Sequence, residues 1–167
     1  SFTADVLALV DVNGGSAINP KSKTLISANT TATPGGSANG TIGGTSVYLA
    51  TGQVVITTPN KIAYGNDSLY ISDVKKLQKV FDFSGLSVTT ANLSSAIDIT
   101  SRYKLDDGQR ENIYDHANIQ LKSRVTPPVG PILVCVDYYE HVSGSSDGLG
   151  YFSVDSYPNA GLDSGYA

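Results

Sequence analysis

Short runs of β-prone residues, separated by clusters of Gly, Pro, Ser and Asn, constrain this chain more than any other feature of its sequence. The longest apolar run, 131–139, lies between Pro127-Pro128 and the Gly- and Ser-rich residues 143–148. A run that is apolar almost throughout is typical of a strand buried on both faces. Many short strands with such punctuation favour a sandwich or barrel. We therefore predict an all-β fold, a β-sandwich of fibronectin-like or immunoglobulin-like type.

The candidate strands are short and are spread over the whole chain. They span residues 6–12, 46–50, 53–58, 68–72, 80–83, 118–122, 132–139 and 150–155. The runs 46–50 and 53–58 surround Thr51-Gly52, and this spacing predicts a hairpin. Between residues 73 and 81 the apolar side chains fit both helical and strand spacing. We interpret that segment as a short turn followed by a strand.

Residues 14–44 consist mainly of Gly, Ser, Thr, Asn and Ala, with one short break at 24–27. Such a segment has little apolar surface to offset its ordering entropy, so we expect an extended arm. We assign residues 1–90 to this Gly/Ser-rich arm or to a second small β unit, and residues 91–167 to the sandwich module. One continuous domain is the alternative. The chain starts at Ser1 and contains no methionine, from which we expect a fragment of a longer protein.

The charge balance and hydropathy weigh against two classes of partner. The 167 residues include 11 Lys and Arg against 15 Asp and Glu, a formal net charge of −4. This balance offers no positive surface for a nucleic-acid backbone. No window approaches the run of about 20 apolar residues that spans a bilayer. We therefore expect neither nucleic acid nor a membrane as a partner.

Residues that could carry catalysis or bind a transition metal are sparse. Cys135 lies inside the apolar run, which is typical of a buried small hydrophobic residue. His116 and His141 are far apart in the sequence, whereas a transition-metal site needs three or four ligands. The Gly-x-Ser-x-Gly motif of a hydrolase is absent, and 15 acidic residues give pairs of carboxylates by chance. We predict a non-enzymatic protein that uses no cofactor or metal.

The segment 106–111, Asp-Asp-Gly-Gln-Arg-Glu, is the densest cluster of charge in the chain. Its oxygens would suit Ca²⁺, but only one local run supplies them. We favour a structural turn, in which Asp106 or Asp107 caps a helical turn through Tyr114 and Arg110 pairs a carboxylate bidentately. The predicted loop lock consists of Asp107, Gln109, Arg110, Tyr114 and Asp115.

Tyrosine is the dominant aromatic residue, with ten Tyr against four Phe and no Trp. Tyr rings can stack on sugars, and they are equally typical of subunit interfaces, where the ring packs and the hydroxyl stays in water. The candidate contact aromatics are in the C-terminal part of the chain: Tyr138, Tyr139, Tyr151 and Tyr157.

Four blocks of the C-terminal half occur in a recognisable order. They are YKLDDGQRENIYDH at 103–116, IQLK at 119–122, VDYY at 136–139 and GYFSVDSYP at 150–158. Together they resemble a module found in structural proteins of contractile-tailed bacteriophages. The resemblance covers about residues 100–160, and residues 1–90 carry no comparable match.

The resemblance implies a virion structural protein of the tail, baseplate or fibre-attachment apparatus, located in the virion. Its partners would be other virion proteins and further copies of itself, and no catalytic residue is carried over. The alternative is a receptor- or polysaccharide-binding adhesin module on a tail fibre, whose partner would be a host surface glycan. An enzyme ranks third among these functions.

Overall fold

The structure is a computed structural model that describes residues 23–110 and 114–141. Within these ranges the chain forms ten β-strands, one single-turn α-helix and two short 3-10 turns. The strands are β1 (Lys23–Ile26), β2 (Gly40–Ile42), β3 (Thr45–Tyr48), β4 (Gln53–Ile56), β5 (Asn66–Ser72), β6 (Val74–Asp82), β7 (Ile97–Asp98), β8 (Tyr103–Asp106), β9 (His116–Leu121) and β10 (Ile132–His141). The helix α1 is Thr90–Leu93, and the 3-10 turns are Leu49–Thr51 and Thr100–Arg102.

Seven of the strands form one antiparallel sheet around β10. Its order is β2-β3-β4-β10-β6-β7, and β1 pairs with a different part of β10. Residues 132–135 of β10 pair with β4, and residues 138–141 pair with β1 on the same flank. The opposite flank pairs with β6. The three remaining strands form a smaller antiparallel sheet in the order β5-β9-β8.

The two sheets pack face to face around the main hydrophobic core. Strand β9 shows the required alternation, because Ala117, Ile119 and Leu121 are buried while the residues between them are partly exposed. These side chains meet others from the large sheet, including Val54 and Val134. The alternation in β9 is the pattern expected of an antiparallel sheet with one face on the core and the other exposed to solvent. The structure confirms the predicted all-β sandwich.

A second, smaller core covers the outer face of the large sheet. Leu133 and Cys135 of β10 pack there with Phe83, beneath partly buried side chains that include Ala28 and Leu93. The two segments that carry Ala28 and Leu93 contact each other, because the hydroxyl oxygens of Thr33 and Thr90 are 2.8 Å apart. Strand β10 is thus buried on both faces, as its nearly continuous apolar run predicted.

Part of the expected arm is ordered as strand. Within residues 23–44, β1 and β2 belong to the large sheet, because β10 and β3 supply the backbone partners that an isolated segment lacks. Strands from both sides of residue 90 share both sheets. The predicted strands 6–12 and 150–155 lie outside the described residues.

The local predictions are confirmed with shifted boundaries. Strands β3 and β4 form the predicted hairpin, although a 3-10 turn and Gly52, in the left-handed region, connect them. The second hairpin, β2 to β3, turns through Gly43 and Gly44, which both have positive φ as the tight I′ turn requires. The ambiguous segment after residue 73 is strand β6, preceded by a turn at Asp73.

Truncation of the buried Ile119 tests how much the sandwich depends on its main core. Ile119→Ala removes a fully buried side chain between the sheets, and we expect a loss of about 2–5 kcal/mol in the free energy of unfolding. The matched control is Ile62→Ala, which truncates the same side chain at a position that is 73% exposed, with an expected change within about 0.5 kcal/mol. Urea unfolding of both variants measures the difference, and equal losses would contradict this account of the core.

The acid stability of the β6–β7 edge depends on Asp98. Burial raises the pKa of this carboxyl, but hydrogen bonds from Lys79 and Thr100 outweigh it and lower the pKa to about 2. A carboxyl with a lowered pKa stabilises the fold above its unfolded pKa, and that contribution is lost as the pH falls through the folded value. We therefore expect wild type to be more stable than Asp98→Asn at pH 6, with the difference shrinking as the pH falls below the ordinary pKa of Asp and vanishing only below pH 2. Unfolding curves measured across this range check the prediction, which a constant difference would contradict.

Candidate functional site

A buried carboxylate marks the point where the chain crosses from one sheet to the other. Asp73 alone separates β5, in the small sheet, from β6, in the large sheet. Its φ of 54° lies in the left-handed region, where Asp is tolerated better than most residues. This conformation turns the chain within one residue and places the carboxylate in the interior, where it is fully buried.

Three described segments donate hydrogen bonds to Asp73, two of them to its carboxylate and one to its backbone carbonyl. Lys23 Nζ of β1 donates to its Oδ2 at 2.7 Å, and Gln109 Nε2 donates to its Oδ1 at 3.2 Å. The backbone N–H of Tyr139 donates to the Asp73 carbonyl at 3.0 Å. Because a buried charge is costly without such partners, Asp73 holds β1, β10 and the loop after β8 together.

Lys23 sits between two aromatic rings as well as on the carboxylate. Its Nζ is 4.9 Å from the ring centroids of both Tyr114 and Tyr139, and 3.3 Å from the Tyr114 hydroxyl oxygen. Lys75 lies over the Tyr139 ring at 5.7 Å. The hydrogen bond to Asp73 raises the pKa of Lys23 although burial opposes it, so the ammonium form is favoured. We call these five residues, Lys23, Asp73, Gln109, Tyr114 and Tyr139, the Asp73 cluster.

The loop after β8 is braced by its own acidic residues. Both oxygens of Asp106 accept hydrogen bonds of 2.9 Å from the Arg110 guanidinium, which lowers the pKa of Asp106. Gly108 has a φ of 75°, and a Cβ there would collide with the carbonyl of Asp115. The backbone N–H of Asp115 in turn donates a hydrogen bond to the Gly108 carbonyl. The backbone therefore approaches itself closely at a position that only glycine fits.

The five residues of the predicted loop lock have different partners. Gln109 donates to Asp73, and the Tyr114 hydroxyl accepts from Lys23. Arg110 instead pairs with Asp106 in its own loop. Asp107 and Asp115 bond to backbone N–H groups of neighbouring residues.

The bidentate Arg110 pair agrees with the predicted turn, but the predicted helical turn through Tyr114 is wrong. Gln109 and Tyr114 face each other in an antiparallel bridge. In that arrangement the Tyr114 hydroxyl meets Lys23. Residues 111–113 lie outside the described residues.

The candidate contact aromatics need one correction. Tyr138 is only 4% exposed and belongs to the main core, and its hydroxyl donates to the Leu49 carbonyl at 3.1 Å. Burial raises its pKa to about 12. A ring in this position offers no contact surface, because β10 alternates and places Tyr138 on the inner face. Tyr139, on the opposite face, is half-buried in the Asp73 cluster, and Tyr151 and Tyr157 lie outside the described residues.

Sequence reasoning missed the centre of this site. Lys23 fell in the expected arm, and Asp73 is a lone acid between two apolar runs. The partners are 50 and 36 residues from Asp73 along the chain, so no local pattern pairs them. The one available signal was a single acidic residue at the junction of two strand candidates.

Redox and metal chemistry find little support in the described part of the chain. Cys135 is buried, and desolvation raises its pKa to about 12, which keeps the thiol protonated and unreactive at neutral pH. Among residues 23–110 and 114–141, no three His, Cys, Asp or Glu side chains are grouped as metal ligands. In the same ranges, no helix has the length and apolarity to cross a bilayer.

Comparison with known proteins leaves the chain without a matching relative. No protein-family model, no curated protein and no solved structure matches it.

Removal of the Lys23 ammonium tests the Asp73 cluster. Lys23→Met keeps the apolar stem but removes the ammonium that lies 2.7 Å from the buried Asp73 carboxylate. We expect a loss of about 1–3 kcal/mol in unfolding free energy, less than the full cost of breaking a buried pair, because the Lys23 side chain is 37% exposed. The contribution of Lys23 is present at neutral pH and is lost as the pH rises through its raised pKa.

The matched control is Lys75→Met, which removes an exposed ammonium from the Tyr139 ring but not from Asp73. We expect its unfolding free energy to stay within about 0.5 kcal/mol of wild type. The double variant Lys23→Met, Asp73→Asn should regain part of the loss, since an amide is less costly to bury than a carboxylate that has lost the Lys23 ammonium. Equal effects of the two lysine substitutions, measured by urea unfolding, would contradict the assigned role of Lys23.

Proposed function

We propose that this chain is a non-enzymatic structural protein of a tailed-bacteriophage virion, acting in the assembly of the tail, baseplate or fibre attachment. The viral assignment rests on the sequence resemblance over residues 100–160. The assembly mechanism rests on one structural observation, the uncharged edge of the large sheet at β2. Its partners would be other virion proteins and further copies of the chain.

Strand β2 has the properties of a pairing edge. Gly40, Thr41 and Ile42 are all exposed, and none of them is charged or proline. One flank of β2 pairs with β3, and within residues 23–110 and 114–141 no strand pairs with the other flank. Natural proteins usually protect an exposed edge by keeping it short or with Lys, Pro or a bulge, because its open N–H and C=O groups recruit further strands. Strand β2 has only three residues but carries no Lys, Pro or bulge.

The edge is also held in a fixed shape. The turn at Gly43-Gly44 sets the register of β2 on β3, and a Cβ on Gly44 would press on the Thr57 side chain. Asn39, just before β2, accepts the N–H of Leu49 on its side-chain oxygen at 2.9 Å. A pre-ordered edge loses little entropy when a strand is added, which favours association.

Charge placed on the β2 edge tests the assembly mechanism. We expect the purified chain to self-associate or to co-purify with a virion protein, and Thr41→Lys to weaken that association about tenfold or more because a charge blocks strand addition. The control Ile62→Lys puts the same charge on an exposed loop residue away from the edge. Sedimentation velocity over a concentration series compares the three proteins. An association that both lysine variants keep would exclude pairing through β2.

The location is tested separately on purified phage particles. Gold-labelled antibody against this chain should decorate the tail or baseplate in negative-stain micrographs. Label confined to distal fibre tips would favour the adhesin instead. Absence of label, together with absence of the chain from the particles by mass spectrometry, would overturn the viral assignment.

A further inference from the structure

The outward face of the small sheet carries polar side chains in ordered rows. Across its three strands, Asn66 and Lys104 both lie opposite Gln120, and Ser68 and Asp106 both lie opposite Asn118. All of these are at least partly exposed, while the alternate residues of β9 enter the core. Amide, hydroxyl, ammonium and carboxylate groups therefore share one surface at a regular spacing.

This face is concave at one end. A cleft of about 340 Å³ is lined by Asn66, Lys104, Leu105, Asp106, Asp107 and Gln120. The loop that follows β8 forms part of its wall, and that loop is braced by the Arg110–Asp106 pair and by Gly108. A braced wall makes the cleft a preformed shape, which lowers the entropy lost when a ligand binds.

The amide of Gln120 is held in one orientation. Its Nε2 donates to the Tyr64 carbonyl at 3.2 Å and to Asn66 Oδ1 at 3.1 Å. Its Oε1 is therefore left as an acceptor, beside the carboxylate of Asp107 and the ammonium donor of Lys104 in the same lining. A cleft that offers both hydrogen-bond acceptors and donors suits ligand groups that can donate and accept, and the hydroxyl is the simplest such group.

The charges of the cleft indicate a neutral ligand. The charged lining residues are Lys104, Asp106 and Asp107. Arg110, which is outside the lining, pairs bidentately with Asp106, so that Lys104 balances the remaining carboxylate of Asp107. The two carboxylates would repel a polyanion, and the Lys104 ammonium would repel a cation. The balance therefore disfavours phosphate-rich and cationic ligands alike.

The backbone of Tyr64 adjoins this cleft through Gln120, and its side chain is exposed. Its φ is 64°, in the left-handed region that bulky residues avoid, and its side chain is 65% exposed. The Tyr64 N–H donates to the Leu121 carbonyl at 2.8 Å, and its carbonyl accepts the Gln120 amide. Hydrogen bonds thus hold a non-glycine residue in a costly conformation beside a polar cleft, which is the kind of strain that occurs at binding sites.

We propose that this surface, the Tyr64 cleft, binds a neutral, hydroxyl-rich saccharide. The polar row of Asn66, Gln120 and Lys104 would bond to the sugar hydroxyls, and the exposed Tyr64 ring would pack on the apolar face of a pyranose. The inference does not depend on assembly through β2, which lies in the other sheet. Nor does it depend on the viral assignment.

The test uses the full chain on an array of neutral microbial and plant glycans, with uronic-acid glycans as charged comparators. The glycan with the strongest signal is then titrated by calorimetry against wild type and variants. Tyr64→Ala should weaken binding about tenfold, and Tyr64→Phe should keep most of it because the ring remains. Ile97→Ala is the matched control, an exposed apolar side chain on the edge of the large sheet, and should leave binding unchanged.

Circular dichroism of each variant establishes that the fold is retained. Binding of a neutral glycan that Tyr64→Ala and Gln120→Ala both weaken supports the site. Three results overturn it: no signal from any neutral glycan, signals from the uronic-acid glycans alone, or binding that neither substitution reduces. None of these results bears on association through β2 or on the location of the chain in a particle, so the two proposals fail independently.

Discussion

Strand β10 is the element on which the other strands depend, because it is bonded along both flanks and buried on both faces. Its side chains divide between two cores, with Ile132, Val134 and Val136 in the main core and Leu133 and Cys135 in the second. Any polar residue between 132 and 136 would lose its water on one face or the other without a ready partner. This requirement explains why the segment is apolar throughout, and why strands from both halves of the chain share one sheet with it.

Two carboxylates, Asp73 and Asp82, are buried in the described part of the sandwich, and each holds a connecting segment in place through hydrogen bonds. Asp73 joins β1 and the loop after β8 to the crossing between the sheets. Asp82, at the end of β6, accepts backbone N–H groups from Ser84, Val129 and Gly130. Because unpaired backbone donors are costly in the interior, one carboxylate replaces the ladder bonds that these irregular segments lack. The strands supply the bulk of the apolar burial, and these acids decide where the loops lie.

The two proposed partner surfaces lie in different sheets. The β2 edge is an uncharged strand edge in a fixed register, which favours pairing with another chain. The Tyr64 cleft is polar and charge-balanced and adjoins the backbone of the exposed Tyr64, which favours a small neutral ligand. A subunit with this arrangement could be held in an assembly by one sheet while the other stays accessible. The structural and saccharide-binding proposals are therefore compatible with each other.

The sequence by itself determined the fold class, the β3–β4 hairpin and the central position of the apolar strand, because strand periodicity and turn residues are local properties. It also indicated that Arg110 pairs a carboxylate bidentately, and the structure identifies that carboxylate as Asp106, four residues away. It could not locate Asp73, Lys23 or the row of Asn66, Gln120 and Lys104, whose members come together only when β5, β8 and β9 align. It misplaced Tyr138 because exposure depends on which face of β10 meets the second sheet. Contacts between residues distant in sequence were decided by strand register and sheet packing, and neither is encoded in any short stretch of residues.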